Sequence, residues 1–206
     1  MPPVTVPYFL ARPSSPPPWP GVVVCMEGYG MDQWLLRVCE RLAAEGFAAI
    51  APDMYARFGG SNRDEGRKHL AELKSPHALA DITECVDELK RIGATRIGLT
   101  GFCMGGRITY TAATRGVPID AAVGFYGAHL NEMLGEPTCP LHLVFGGIDE
   151  YIPLDEVAAV EAHHPGMVTT YPDAGHAFMH AGNDADAAAA KDAWPKLIAF
   201  FNEHLR

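Results

Sequence analysis

Several features are scarce in this chain of 206 residues, and each scarcity removes a class of protein. No run of about 18 apolar residues occurs, so no segment is suited to cross a bilayer as a helix and no membrane partner is expected. Basic residues are few: 16 Lys and Arg stand against 25 Asp and Glu, a net charge of −9. Such a surface repels polyphosphate, which argues against general nucleic-acid binding. It leaves room for a small anion in a locally positive pocket. The proline-rich first twenty residues hold no continuous apolar stretch, so no export signal is expected there and the chain reads as cytoplasmic. The five cysteines are odd in number and none forms a C-x-x-C pair, which predicts reduced, mostly buried thiols. No composition shift and no repeat period divides the chain. With 48% hydrophobic residues, one domain spanning 1–206 is expected.

What is present is an alternation of strands and helices. Residues 4–10 read as a first strand, and the proline-rich stretch 13–20 as a turn. Residues 21–26 (Gly-Val-Val-Val-Cys-Met) form a continuous apolar run, typical of a strand covered on both faces. Asp32 heads a helical pattern carried by Trp34, Leu35, Val38 and Leu42, and Gly46 ends it. Strands follow at 47–51, 95–100, 121–126, 141–145 and 168–171. Helices follow at 76–92, 105–115, 154–163 and 186–204, the last with a bend expected near Pro195. This predicts an α/β fold: a mainly parallel sheet with helices on both faces. In such sheets chemistry gathers beyond the carboxyl ends of the strands.

Three residues stand at those ends. Gly101-Phe102-Cys103-Met104-Gly105-Gly106 has the spacing of a nucleophile elbow, a strained turn from strand to helix in which glycines avoid collisions with nearby backbone. It sets Cys103 at a helix N-terminus, where free amides and the helix dipole favour an anion. A dinucleotide loop fits less well, because Cys103 and Gln33 stand where its glycines would be needed. Asp149 follows the strand 141–145, and His176 follows the strand 168–171. Nucleophile, acid, histidine is the chain order of α/β-hydrolases. In that chemistry Cys103 attacks a carbonyl, His176 takes and returns its proton, and Asp149 orients the imidazole. His176 and His180 are also spaced as H-x-x-x-H, but Gly175 before them favours a loop and no metal is predicted. His163-His164 reads as a solvated helix end.

With these motifs the chain resembles the dienelactone hydrolases (carboxymethylenebutenolidases) over almost its whole length. The resemblance is carried by the elbow at Cys103, by Glu27 after the Val-rich strand and by Asp53-Met54-Tyr55-Ala56-Arg57. Gly124-Phe125-Tyr126-Gly127, the Gly-x-Asp at Asp149 and Gly175-His176-Ala177-Phe178 complete it.

The resemblance implies the α/β-hydrolase fold, no cofactor, and a small ester or lactone, carboxylated or not, as partner. It implies that Glu27 accepts the thiol proton once substrate binds, which spares a resting thiolate from oxidation. It implies that the amides of Gly28 and Met104 form the oxyanion hole, that Arg57 holds a substrate carboxylate, and that Tyr126 lies near the site. One position departs from the pattern. His180 stands where the family carries a second carboxylate-binding arginine, so weaker binding of anionic lactones at pH 8 than at pH 6 is expected if His180 takes that role. Two alternatives stay open at this point: a general small-ester hydrolase, or a hydrolase-fold protein that binds a ligand or senses oxidants through Cys103.

Overall fold

The computed structural model describes residues 6–61 and 64–206. Seven strands form one sheet in the order β1-β3-β2-β4-β5-β6-β7. Strand β1 (Tyr8–Ala11) runs antiparallel to β3 (Ala48–Pro52) at one edge. Strands β2 (Trp19–Cys25), β4 (Ala94–Phe102), β5 (Ala121–Phe125), β6 (Leu141–Gly146) and β7 (Val168–Tyr171) continue from β3 in parallel. The mainly parallel sheet is thus as expected. The first strand is shorter than residues 4–10; residues 4 and 5 lie outside the described residues. Pro20 sits inside β2 and not in the turn before it. The β2–β4 register shifts between Trp19 and Gly21, and such an irregularity is where a strand tolerates a missing amide donor.

Six helices are described: α1 (Gln33–Ala44), α2 (Gly66–Glu72), α3 (Ser75–Arg91), α4 (Met104–Thr114), α5 (Leu154–His163) and α6 (Asp184–Leu205). Asp32 caps α1 by accepting the Leu35 amide at 2.9 Å, a contact typically worth about 1 kcal/mol. Pro195 lies within α6. The helices cover both faces. Ile97 and Gly98 are neighbours in β4, so they point to opposite sides. A Cβ at Gly21 would touch both Ile97 and Leu89 of α3, whereas a Cβ at Gly98 would strike Phe201 and Leu205 of α6. Arg41 of α1 lies over the Trp194 ring of α6, which sets α1 on the α6 side.

Two readings are corrected. Helix α2 was not expected: it is short, has no side-chain cap and carries Gly, Arg and Lys in its first turn. His164 is not solvated but buried, with its Nε2 2.8 Å from the hydroxyl of Tyr110, and burial lowers its pKa. Among the described residues, no helix is long and apolar enough to cross a membrane.

Candidate active site

Strands β2, β4, β5 and β6 all end toward one cleft of about 870 Å³. Apolar side chains dominate its lining, among them Leu70, Leu73, Met104 and Ile108, and Glu27, Cys103 and His176 share it. An apolar cleft with a few convergent polar groups is the usual form of a small-molecule site.

Cys103 stands between β4 and α4 with φ +55 and donates its amide to Phe125 O at 3.0 Å. A left-handed backbone at a residue with a Cβ is strained, and the surroundings hold it there. A Cβ at Gly101 would run into Gly105 O, and one at Gly105 into Cys25 O. Gly106 adds a third such contact, against Phe125 O. The elbow is therefore closed by backbone on every side, as its glycines predict. The other non-glycine residues with left-handed φ among those described are Tyr126, His129, Ala177 and Ala181. His129 and Ala177 line the cleft, Tyr126 is bonded to Glu27, and Ala181 follows His180. Strain is thus concentrated around the site, as is common where geometry matters for chemistry.

His176 is the centre of the polar arrangement. Its Nδ1 lies 2.7 Å from Asp149 Oδ2, and it lines the cleft together with Cys103, with which it interacts. The Asp149 side chain is 0% exposed, and its second oxygen accepts the Tyr151 amide at 2.8 Å. The rings of Tyr151 and Tyr126 meet the imidazole edge to face at 4.9 and 5.2 Å.

Burial alone would lower the pKa of His176. Its hydrogen bonds to Asp149 and Cys103, and electrostatic attraction to both, outweigh burial and push it up to about 10. In an unfolded chain an imidazole titrates near ~6.5. The charged His176 therefore stabilises the fold in full below the unfolded value, and that stabilisation is lost as pH rises through about 10. The difference in melting temperature between wild type and His176→Gln is expected to shrink across this window. A difference that stayed constant with pH would refute the assignment.

Cys103, Met104, Gly28, Glu27 and His176 all line the cleft. Met104 is the first residue of α4, so its amide has no partner within the helix. Among the described residues, the Gly28 amide likewise donates to no backbone carbonyl. The turn that carries it is built by Tyr55, whose hydroxyl donates to Gly28 O at 2.9 Å. Ser61 supports the same turn by accepting the Met31 amide at 2.8 Å. Tyr55 and Gly28 are 27 positions apart, and only the fold brings the ring under this turn.

Three expected substrate contacts fall elsewhere. Arg57 does not line the cleft. Its guanidinium is bound by the carboxylate of Asp81 on α3 at 2.5 Å and also donates to Met54 O. Tyr126 is fully buried, and its hydroxyl donates to Glu27 Oε1 at 3.4 Å, so it lies behind the site and not in it. His180 stacks on Trp34 with ring centres 4.0 Å apart, and its Nε2 is 2.9 Å from Glu27 Oε2. An imidazole bound to a carboxylate does not offer itself to a second one. Among the described residues, no group of three metal-ligating side chains is found.

The other thiols differ from Cys103 in setting. Burial pushes Cys25 and Cys85 far up, Cys39 up to about 12 and Cys139 up to about 11. They remain neutral packing groups in the physiological range.

The strand order and the elbow at the end of β4 define an α/β-hydrolase. Comparison with known proteins narrows this. The model of the dienelactone hydrolase family matches residues 6–205, and the chain belongs to that family. A protein of Escherichia coli K12 named "Putative carboxymethylenebutenolidase" is 32% identical, with 97% of this chain and 83% of the relative covered. "Protein usf" of Aquifex pyrophilus is 33% identical, covering 92% of this chain and 91% of the relative. Among solved structures, a "Putative Dienelactone Hydrolase" from Klebsiella pneumoniae superposes with a TM-score of 0.85 at 28% identity, covering 97% of this chain and 93% of that one. A dienelactone hydrolase-like promiscuous phosphotriesterase from metagenomic libraries gives 0.75 at 25% identity, covering 94% and 89%. The protein is a hydrolase of that family.

Proposed function

We propose that the protein opens activated esters or lactones through a Cys103–His176–Asp149 triad and an acyl-thioester on Cys103. The observation that carries this reading is His176, which is bonded to the buried Asp149 and shares the wall of one cleft with Cys103.

The steps follow from the charges. With His176 held protonated against the buried carboxylate of Asp149, the carboxylate of Glu27 is the acceptor that remains in the cleft for the thiol proton. The thiolate sulfur then attacks the carbonyl carbon. The developing oxyanion is met by the amides of Gly28 and Met104, a type of contact worth roughly 10²–10³ in rate per donor. As the C–O bond of the ester breaks, His176 gives its proton to the leaving oxygen. Now neutral, it takes a proton from water, and the hydroxide attacks the thioester. The acid departs, the sulfur leaves as thiolate, and Glu27 returns its proton. An enolate or aryloxide leaves readily, so activated esters suit this cycle better than amides.

A shared acyl-enzyme has a kinetic signature that holds whichever step is slow. Aryl acetates with different leaving groups, turned over in dilute methanol, should give one constant ratio of methyl acetate to acetate. A ratio that changes with the leaving group would overturn the thioester.

A further inference from the structure

The cleft contains a cation that none of the steps above uses. Met104, Arg107, Ile108 and Thr111 line it from α4, the spacing of one helical stripe. Arg107 is the only Lys or Arg among the lining residues described, and among the described residues its guanidinium has no hydrogen-bond or ion-pair partner. What sets it apart from other unpaired cations is its place, in the cleft that holds Cys103. The nearest cations that resemblance would have offered are taken: Arg57 by Asp81, and His180 by Glu27. The remaining imidazole at the mouth, His129, lies 3.3 Å from Glu132.

The helix fixes where this charge falls. Arg107 donates its amide to Cys103 O at 3.1 Å, so the two residues are one turn apart. A rise of 1.5 Å per residue sets them about 6 Å apart along the axis. Met104 and Ile108 line the same cleft and give it an apolar wall beside the arginine. A guanidinium in such surroundings binds a carboxylate by two parallel hydrogen bonds.

We infer that Arg107 receives a carboxylate carried by the substrate, so that this enzyme prefers esters or lactones bearing an anionic group about one helical turn from the scissile carbonyl. The inference rests on Cys103 being the nucleophile.

Two aryl esters test it: 4-nitrophenyl acetate, which is neutral, and 4-nitrophenyl hydrogen glutarate, which carries a carboxylate on its acyl chain. The quantity read is the ratio of kcat/KM for the second over the first. Arg107→Gln is expected to lower this ratio on the order of 10–100-fold, mainly through KM, and Arg107→Lys to restore part of it. Free glutarate should inhibit the wild type competitively and lose that effect to a similar degree in Arg107→Gln. An unchanged ratio in Arg107→Gln overturns the inference. So does a ratio that collapses in Arg57→Lys but survives in Arg107→Gln, which would return the carboxylate to Arg57. A wild type that turns over neither ester would overturn the nucleophile reading itself, an outcome distinct from turnover without preference.

Discussion

Replacing Cys103 by alanine is expected to cut ester turnover by on the order of 10⁴-fold or more. Every step of the proposed cycle passes through its sulfur, and no other thiol lines the cleft. Cys25 lies fully buried beneath the elbow, where a Cβ on Gly105 would touch its carbonyl. It cannot substitute. The loss is not expected to come from unfolding. Alanine keeps the Cβ and inherits the same left-handed backbone, so the strain at the elbow is unaltered. Far-ultraviolet circular dichroism and the melting temperature should stay near wild type while kcat falls. Turnover retained in a folded Cys103→Ala protein would sink the proposal outright.

Asp149→Asn is expected to lower kcat by roughly 10⁴-fold, although it changes one atom. The carboxylate accepts twice: from His176 Nδ1 at 2.7 Å and from the Tyr151 amide at 2.8 Å. An asparagine has only one accepting oxygen. If that oxygen serves Tyr151, the amide nitrogen faces Nδ1 and forces it to accept. The ring then carries its proton on Nε2, toward Cys103, and cannot take one from water there. If the oxygen serves His176, the Tyr151 amide faces an NH₂ group inside a buried site, at a cost of roughly 1–3 kcal/mol. Steady-state kinetics and thermal melts separate the two outcomes: the first loses rate, the second also loses stability. A variant within tenfold of wild type in kcat would show that Asp149 does not govern the imidazole.

Much of this was legible because it is local. The apolar run in β2 and the strand–elbow–helix around Cys103 are written in consecutive residues. The order Cys103, Asp149, His176 needs only the rule that chemistry lies beyond strand ends. The glycines of the elbow likewise state their own reason. What was not legible depends on which distant side chains meet. Arg57 reads as a free cation until α3 brings Asp81 against it. His180 reads as a substrate contact until the folded chain sets it between Trp34 and Glu27. Helix α2 gives no pattern, because seven mostly polar residues with a leading glycine look like a loop. Arg107 was visible in the sequence four positions after Cys103. Its significance appears only when every other nearby cation has been paired.

The sealing of the remaining cysteines has a practical consequence. In the native protein, a mild alkylating reagent meets one thiol at an accessible cleft while Cys25, Cys39 and Cys85 lie inside the core. Cys139 is only half-buried, but its raised pKa leaves little of the reactive anion near neutrality. Label incorporated in the fast phase therefore counts competent molecules. A preparation can be calibrated by titration, before its natural substrate is known.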